Sequence, residues 1–357
     1  MAGTFDSSFN TNSNAGNREQ LLDLTTVLSP RQAPVYGLLP KQKATADLVE
    51  WTVDTLADPA DNAVVEGADL SFGTESADTE ARKFGSLARL DNRLQHFRKT
   101  FMVTKKQEVL DSVTPVKLQQ AEEKATSELL RDIERAICSD QGAVAGTSST
   151  AGKLRGLGRW ISNSGGASGS AGGTGNDGAT IVPSDFRTPL ASIHGASHNN
   201  TSDANVDGAT TGDLSENDFA KILASIFNET GEMQDLHLVA DTALRNHIVD
   251  EFTRTNGSAS QVRYNQDSGA VVEYNVEMFN GPFGVVKILT ANPKCMPGTL
   301  NDRGYLIDPS LLGWAEALPT GSTMLEDQGG GPRGYVDSMG TLICRGPKGL
   351  GKIGEIA

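Results

Sequence analysis

The chain predicts an α+β protein, because strand-like and helix-like patterns fill separate stretches and three of those stretches are clear. From Leu48 to Leu56, Val49, Trp51 and Val53 alternate with Glu50, Thr52 and Asp54, the period of a strand with one wet side. From Pro115 to Cys138, Leu118, Ala121, Ala125, Leu129, Ile133 and Ile137 recur at threes and fours with no internal Gly or Pro, the period of a helix. From Ser215 to about residue 318 helical and extended patterns mix within one stretch, as in a compact α and β domain.

Taken in order, residues 1 to about 20 are rich in Ser, Asn, Gly and Thr and lack the apolar groups that offset the entropy of ordering, so they read as a tail. A second extended run, Arg93 to Val103, sets Phe97, Phe101 and Val103 on one face. Between the two runs, Ala57 to Asp91 is polar and turn-rich, and about 35 residues without a period is too long for an ordinary connection. The expectation is that the two runs pair and that the whole forms a long arm covered by another subunit, since bare strand edges suit a monomer poorly.

Thr114 is a good N-cap and Pro115 a good first residue for the central helix, which at 1.5 Å per residue is roughly 35 Å long. Its other faces carry Glu122, Glu123, Lys124, Glu128, Arg131, Asp132 and Arg135, a solvated surface or a subunit interface. After Gly142 the chain turns small and polar, and 162–214 reads as a low-complexity insertion with a short ordered centre, IVPSDFRTPLASIH.

Ser215 and Asp218 resemble a capping box, Phe219, Ile222, Leu223, Ile226 and Phe227 mark one helical face, and Gly231 ends it. LHLVA is a short apolar strand, and Asp241 caps a helix to about Phe252. Val272, Tyr274, Val276 and Met278, the turn NGPFG, and Val285 to Leu289 read as a hairpin. The last segment holds one convincing strand, Gly340 to Cys344, and is short enough to return to an earlier lobe.

Composition narrows the function. The 357 residues allow one large core or two modest ones. With 45 acidic residues against 31 basic ones the formal charge is -14, so the average surface repels a phosphate backbone and sequence-specific nucleic-acid binding is not expected. Cys138, Cys295 and Cys344 are far apart and lack CxxC spacing, which argues against a disulfide framework or a zinc site and fits a reducing compartment. No signal-peptide pattern opens the chain and no run is long and apolar enough for a bilayer, so the expectation is a protein made and kept in a cytosol, with no membrane partner.

A search for chemistry finds no site, and neither a cofactor nor a metal is expected. GPKGLGK, from Gly346 to Lys352, has P-loop glycine and lysine spacing, but Ile353 stands where a magnesium-binding hydroxyl belongs and no helix has room to follow. His194 and His198 lack the glutamate of a zinc-protease motif, while His237, His247 and His96 read as structural residues. No nucleophile elbow occurs, and Trp51 and Trp160 read as packing residues in a chain without a basic cluster around them.

The order of these pieces resembles the major capsid proteins of tailed double-stranded DNA bacteriophages, in particular a podovirus-type group with the Hong Kong 97 fold. The residues that carry the resemblance are VLSPRQAPVYGLLPKQKATADLVEWTVDTL, AVVEGADL, RLDNRLQHFRKTFMVTKKQEVL, SELLRDIERAICS and GLGRWI, all between Thr25 and Ile161, with a looser match over 215–350.

The resemblance implies an N-terminal arm at 1–47 and an E-loop hairpin at 48–104. A peripheral domain follows at 105–161, with its spine helix at 115–138. After the insertion at 162–214, it implies an axial domain at 215–318 and a C-terminal return at 319–357, to the peripheral domain. It implies no enzyme activity, and a subunit that self-assembles as hexamers and pentamers into an icosahedral shell around viral DNA, made in the bacterial host cytoplasm and located in the virion. The implied partners are the chain itself, a portal and a separate scaffolding protein, with a decoration protein as a further candidate. Trp51, Val53, Phe97 and Phe101 are the expected assembly contacts. An encapsulin-type shell protein, a phage tail or decoration protein and an enzyme with scattered catalytic groups are the alternatives.

Overall fold

A computed structural model of the chain describes residues 33–56, 87–110, 117–162, 182–194, 214–231, 236–250, 277–291 except 282, and 304–353, together with positions 59, 63, 66 and 67. Helix α1 (Pro34–Leu38) and strand β1 (Lys41–Lys43) come first, followed by β2 (Leu48–Asp54), β3 (Leu87–Arg93) and β4 (Gln95–Met102). A one-turn helix α2 (Lys105–Val109), the long helix α3 (Lys117–Ile137), the short α4 (Leu157–Trp160) and β5 (Ile193–His194) follow. Next come α5 (Glu216–Thr230), β6 (Leu236–Ala240), α6 (Thr242–Asp250), β7 (Met278–Gly281) and β8 (Gly284–Thr290). The chain closes with β9 (Gly304–Ile307), β10 (Leu312–Leu325), β11 (Arg333–Cys344) and β12 (Gly351–Ile353).

Three sheets result: a four-stranded sheet ordered β1-β10-β11-β4, a six-stranded sheet ordered β5-β12-β9-β6-β8-β7, and a two-stranded ribbon of β2 and β3. The helix α3 lies against the first sheet because its fourfold stripe of Ala125, Leu129, Ile133 and Ile137 is apolar and Phe97 and Phe101 of β4 face it. All of these are buried in one core with Trp314 and Leu342, and burying each large side chain stabilises by about 1.5–3 kcal/mol. Lys99, on the same face of β4, reaches Asp132 of α3 at 2.8 Å. The helix ends within a residue of its expected end; Thr114 and Pro115, its expected cap and first residue, lie outside the described residues.

One polar residue sits on this stripe's flank. Glu134 is buried, and its two carboxylate oxygens accept the backbone N–H groups of Val35 at 2.9 Å and Tyr36 at 2.8 Å. It thereby caps α1, whose own N-cap Ala33 has no side chain for the task. Burial pushes the Glu134 carboxyl above the ordinary glutamate range, outweighing the two amide donors that favour its charged form.

The folded state therefore holds that proton more tightly than the unfolded state. Its contribution to stability is full below the ordinary value, roughly 4.3, and is lost as pH rises through the raised one. Substitution Glu134→Gln is expected to lower stability, since one amide end must turn an N–H toward a backbone donor, and the gap to the natural protein is expected to shrink as pH rises from about 4. Denaturant titrations of the unassembled subunit across pH test this; a gap that widens with pH contradicts it.

The six-stranded sheet carries α5 and α6 on one face. Phe219, Ile222, Leu223 and Ile226 of α5 and Leu244 and Ile248 of α6 bury against Leu236, Leu238, Val286, Ile288 and Leu306. Val239, Tyr305 and Ile307 point to the other face and join the core of the first sheet, so β6 is covered on both sides and reads as an unbroken apolar run. The expected caps are present: Ser215 Oγ accepts from Asp218 N at 3.2 Å, Gly231 ends α5 at φ 71°, and Asp241 Oδ1 accepts from Leu244 N at 2.8 Å. The NGPFG hairpin pairs β7 with β8, while Val272, Tyr274 and Val276 lie outside the described residues.

The pairing expected for the arm is different. The partner of β2 is β3, with Val49 opposite Asn92, Trp51 opposite Leu90 and Val53 opposite Ala88. The run holding Phe97 and Phe101 is a separate strand, β4, that pairs with β11, Phe97 opposite Ser338 and Phe101 opposite Gly334. The reason is visible in β3: Leu90 is its one large buried apolar side chain and Asn92 its other buried residue, so LARLDNR reads as polar loop although it is a strand.

The C-terminal segment returns to both large sheets, β11 to the first and β12 to the second. GPKGLGK forms a single 3-10 turn at Pro347–Gly349 and then β12, and Lys352 is buried with its Nζ 3.8 Å from Asp140 Oδ1, so its place is in the packing between strand and helix end.

Candidate assembly surface

The β2–β3 ribbon packs against the body of the subunit along most of its ladder and carries exposed apolar residues at one end. Its ladder runs from Leu48 opposite Arg93 to Asp54 opposite Leu87. Along the ladder, Leu90 is fully buried, Val53 is buried, and the Trp51 indole lies 5.6 Å from that of Trp160 in a tilted pair. Arg155 stacks its guanidinium 4.7 Å from the Trp160 ring on the same knot. Trp51 Nε1–H donates to the Cys344 carbonyl at 2.9 Å. Asn92 is fully buried and its amide donates to the carbonyls of Leu342 at 2.7 Å and Arg155 at 3.2 Å, while its oxygen accepts from Arg155 N at 2.8 Å. At the other end, Leu56 is 95% exposed and Leu87 71% exposed.

A second bare apolar group sits at the far end of the four-stranded sheet. Met102, Val109, Leu110, Met324 and Leu325 are all exposed there, with Leu325 and Met102 flanking Arg333 across the strands. The hairpin loop beside them is held by Asp327, which accepts from Gly329 N at 2.8 Å and Gly331 N at 3.0 Å and pairs with Lys105 at 3.0 Å. The amide of Gly331, with the lysine and the amide of Gly329 beside it, holds the Asp327 carboxyl down at about 2. The clasp is thus complete above the ordinary aspartate range and weakens as pH falls toward that value.

Of the four expected contact residues, Trp51 and Val53 lie on one face of β2 in the ribbon, and Phe97 and Phe101 face α3 from β4. Trp51 is only partly buried; the other three are covered by their own chain. Sequence reasoning missed Asn92, Glu134 and Asp327, polar residues whose patterns look like surface.

The histidines are structural in their surroundings. His194 is buried on β5, His237 is buried on β6, His247 Nε2 lies 2.9 Å from the Leu214 carbonyl and His96 Nε2 lies 3.3 Å from Asp337 Oδ2; His198 lies outside the described residues. Cys138 and Cys344 are buried and not joined in a disulfide, and burial pushes the Cys344 thiol far up, away from reactivity. Among the described residues no group of three or more His, Cys, Asp or Glu is placed to hold a metal, and no helix is long and apolar enough to cross a membrane.

The family model described as SU10 major capsid protein matches residues 3–357. No curated protein matches the chain. A solved structure described as the Cyanophage A-1(L) capsid asymmetric unit is similar at TM-score 0.59 and 16% identity, over 95% of this chain and 97% of that one. A structure from Microbacterium phage Oxtober96 is similar at TM-score 0.55 and 10% identity, over 95% and 96% of the two chains. One from Mycobacterium phage Ogopogo is similar at TM-score 0.53 and 9% identity, over 98% and 99%. At such identities the likeness establishes the fold, and the family model establishes the kind of protein. An arm with a bare apolar end, a long helix on a sheet and a match along nearly the whole sequence converge: the chain belongs to the SU10 major capsid protein family, structural and non-enzymatic shell subunits of tailed phages with the Hong Kong 97 fold.

Proposed function

We propose that this subunit assembles as hexamers and pentamers into an icosahedral shell around viral double-stranded DNA, with its β2–β3 arm lying over a neighbouring subunit as an E-loop. The observation that carries this reading is the arm itself: a ribbon anchored at its root, with Leu56 and Leu87 bare at its end. In this reading α3 is the spine helix and, with the four-stranded sheet, forms the peripheral lobe. The six-stranded sheet with α5 and α6 forms the axial lobe near the capsomer centre. Residues 1–47 serve as an N-terminal arm whose α1 and β1 are built into the peripheral lobe, 162–214 as an insertion whose β5 joins the six-stranded sheet, and 319–357 as the C-terminal return.

In this reading Trp51, which is only partly buried, is the contact residue that meets the neighbour, while Val53, Phe97 and Phe101 are buried within their own subunit. The bare apolar group around Met102, Val109 and Leu325 is a second contact between subunits. Symmetry repeats these moderate contacts, and the repetition gives the shell its stability. A net charge of -14 suits a container that holds DNA without adhering to it. A portal, a separate scaffolding protein and a decoration protein are the further partners in this reading, with synthesis in the host cytoplasm and final residence in the virion.

Electron microscopy of the expressed chain, alone and with its phage's scaffolding protein, tests the proposal. Closed round shells are expected; tubes, or a small species of fixed size under both conditions, overturn it.

A further inference from the structure

We infer that Asn92 is a positioning residue that fixes the direction in which the β2–β3 arm leaves the body of the subunit. The inference rests, for its consequence in assembly, on the reading of that ribbon as an arm that meets a neighbour.

The four-stranded sheet sets up the attachment. β4 pairs with β11 from Arg333 to Gly340 and stops there, although β11 continues to Cys344. Beyond Gly340 the carbonyls of Leu342 and Cys344, two residues apart on one strand, are taken up by side chains of the arm. Asn92 of β3 takes the first at 2.7 Å and Trp51 of β2 takes the second at 2.9 Å. Asn92 and Trp51 lie on facing strands, two ladder positions apart, since Asn92 is opposite Val49 and Trp51 opposite Leu90. Apolar packing of Leu90 and Val53 holds the ribbon down without fixing its angle, and two directional bonds on different strands set that angle.

Asn92 does more than Trp51 because it joins three segments. Its amide N–H groups reach the Leu342 carbonyl and the Arg155 carbonyl, and its oxygen accepts from the Arg155 and Arg93 amides, the latter at 2.9 Å. Both donors and both acceptor lone pairs are thus in use in a fully buried side chain. Aspartate would turn a carboxylate toward two carbonyls, and alanine would leave those carbonyls and the Arg155 N–H without their partner. An arm held in this way presents one preset geometry to its neighbour, and the order of the shell depends on it.

Spin labels on the exposed residues Arg89 of the arm and Glu123 of α3, each replaced by Cys in a full-length chain carrying Cys295→Ser, report the arm's direction in the unassembled subunit. A single narrow distance distribution is expected for the natural Asn92, and one at least about twice as wide, or displaced, for Asn92→Ala. Val336→Ala, which removes buried core atoms away from the attachment, serves as the control for general destabilisation and is expected to stay narrow. Trp51→Phe, which keeps the ring but deletes its N–H, and Asn92→Ser are expected to broaden the distribution partway, and they carry the test if Asn92→Ala does not fold. Natural width in every arm-root variant that folds overturns the inference, as does equal broadening in Val336→Ala. Broadened distances with shells of unchanged diameter and yield uphold the positioning role and overturn the arm's part in assembly.

Discussion

Joining Asp54 to Leu87 through Asn-Gly in place of residues 55–86 is expected to leave a folded subunit that no longer closes into shells. The two residues already face each other at the last rung of the β2–β3 ladder, and Asn-Gly is the favoured two-residue hairpin turn, so the ribbon can close there without strain. Nothing in the two cores involves the deleted stretch among the described residues, and the melting temperature should move little. Assembly, in contrast, loses the arm's outer contact at every neighbour. A loss of about 1.4 kcal/mol is tenfold in a single association step, and symmetry multiplies it around the shell. Sedimentation with circular dichroism checks both halves: a fall in shell yield of about tenfold or more with native ellipticity supports the reading, and shells at natural yield contradict it.

Truncation of Trp314 is expected to have the largest effect on the subunit's own stability. The side chain is fully buried on β10 at the centre of the first core, with Tyr36 edge-on at 5.5 Å. It lies against Gly340 of β11 so closely that a Cβ there would come within 2.4 Å of the ring. Trp314→Ala empties a site bounded by two strands and α1, and such losses cost about 3–5 kcal/mol, a large part of a typical total of about 5–15 kcal/mol. Gly340→Val probes the same contact from the other side and should cost about 1–3 kcal/mol through overpacking. Guanidinium unfolding of the unassembled subunit is the measurement, with a lowered midpoint at unchanged slope as the expected result. A midpoint within error of the natural protein for Trp314→Ala contradicts the placement of this core.

Parts of the fold are legible in the sequence for definite reasons. α3 shows because Ala125, Leu129, Ile133 and Ile137 keep one face apolar over about three and a half turns, and α5 because Ser215 and Gly231 cap a buried stripe. β6 shows as LHLVA because both its faces are covered. β10 was hidden, because Pro319 and Gly321 fall where its register with β11 shifts and most of its second half is exposed. β3 was hidden by Asn92, and the partner of β4 by distance along the chain, since Phe97 is opposite Ser338 and no local period encodes a partner so remote.

The candidate site divides in the same way. Trp51 and Val53 stand out by alternation. Asn92 and Glu134 do not, because a buried polar side chain that satisfies distant backbone groups has the local signature of a wet one. The family resemblance, carried by the order of the pieces along residues 25–161, supplied the function that no single motif states.

The most direct test of the account is a cryo-electron microscopy reconstruction of the assembled shell that traces the backbone of the arm. The account predicts that each β2–β3 ribbon crosses onto an adjacent subunit, with Leu56 and Leu87 covered by that neighbour. A shell in which the ribbon folds back on its own subunit, or stands clear with Leu56 and Leu87 in solvent, contradicts it.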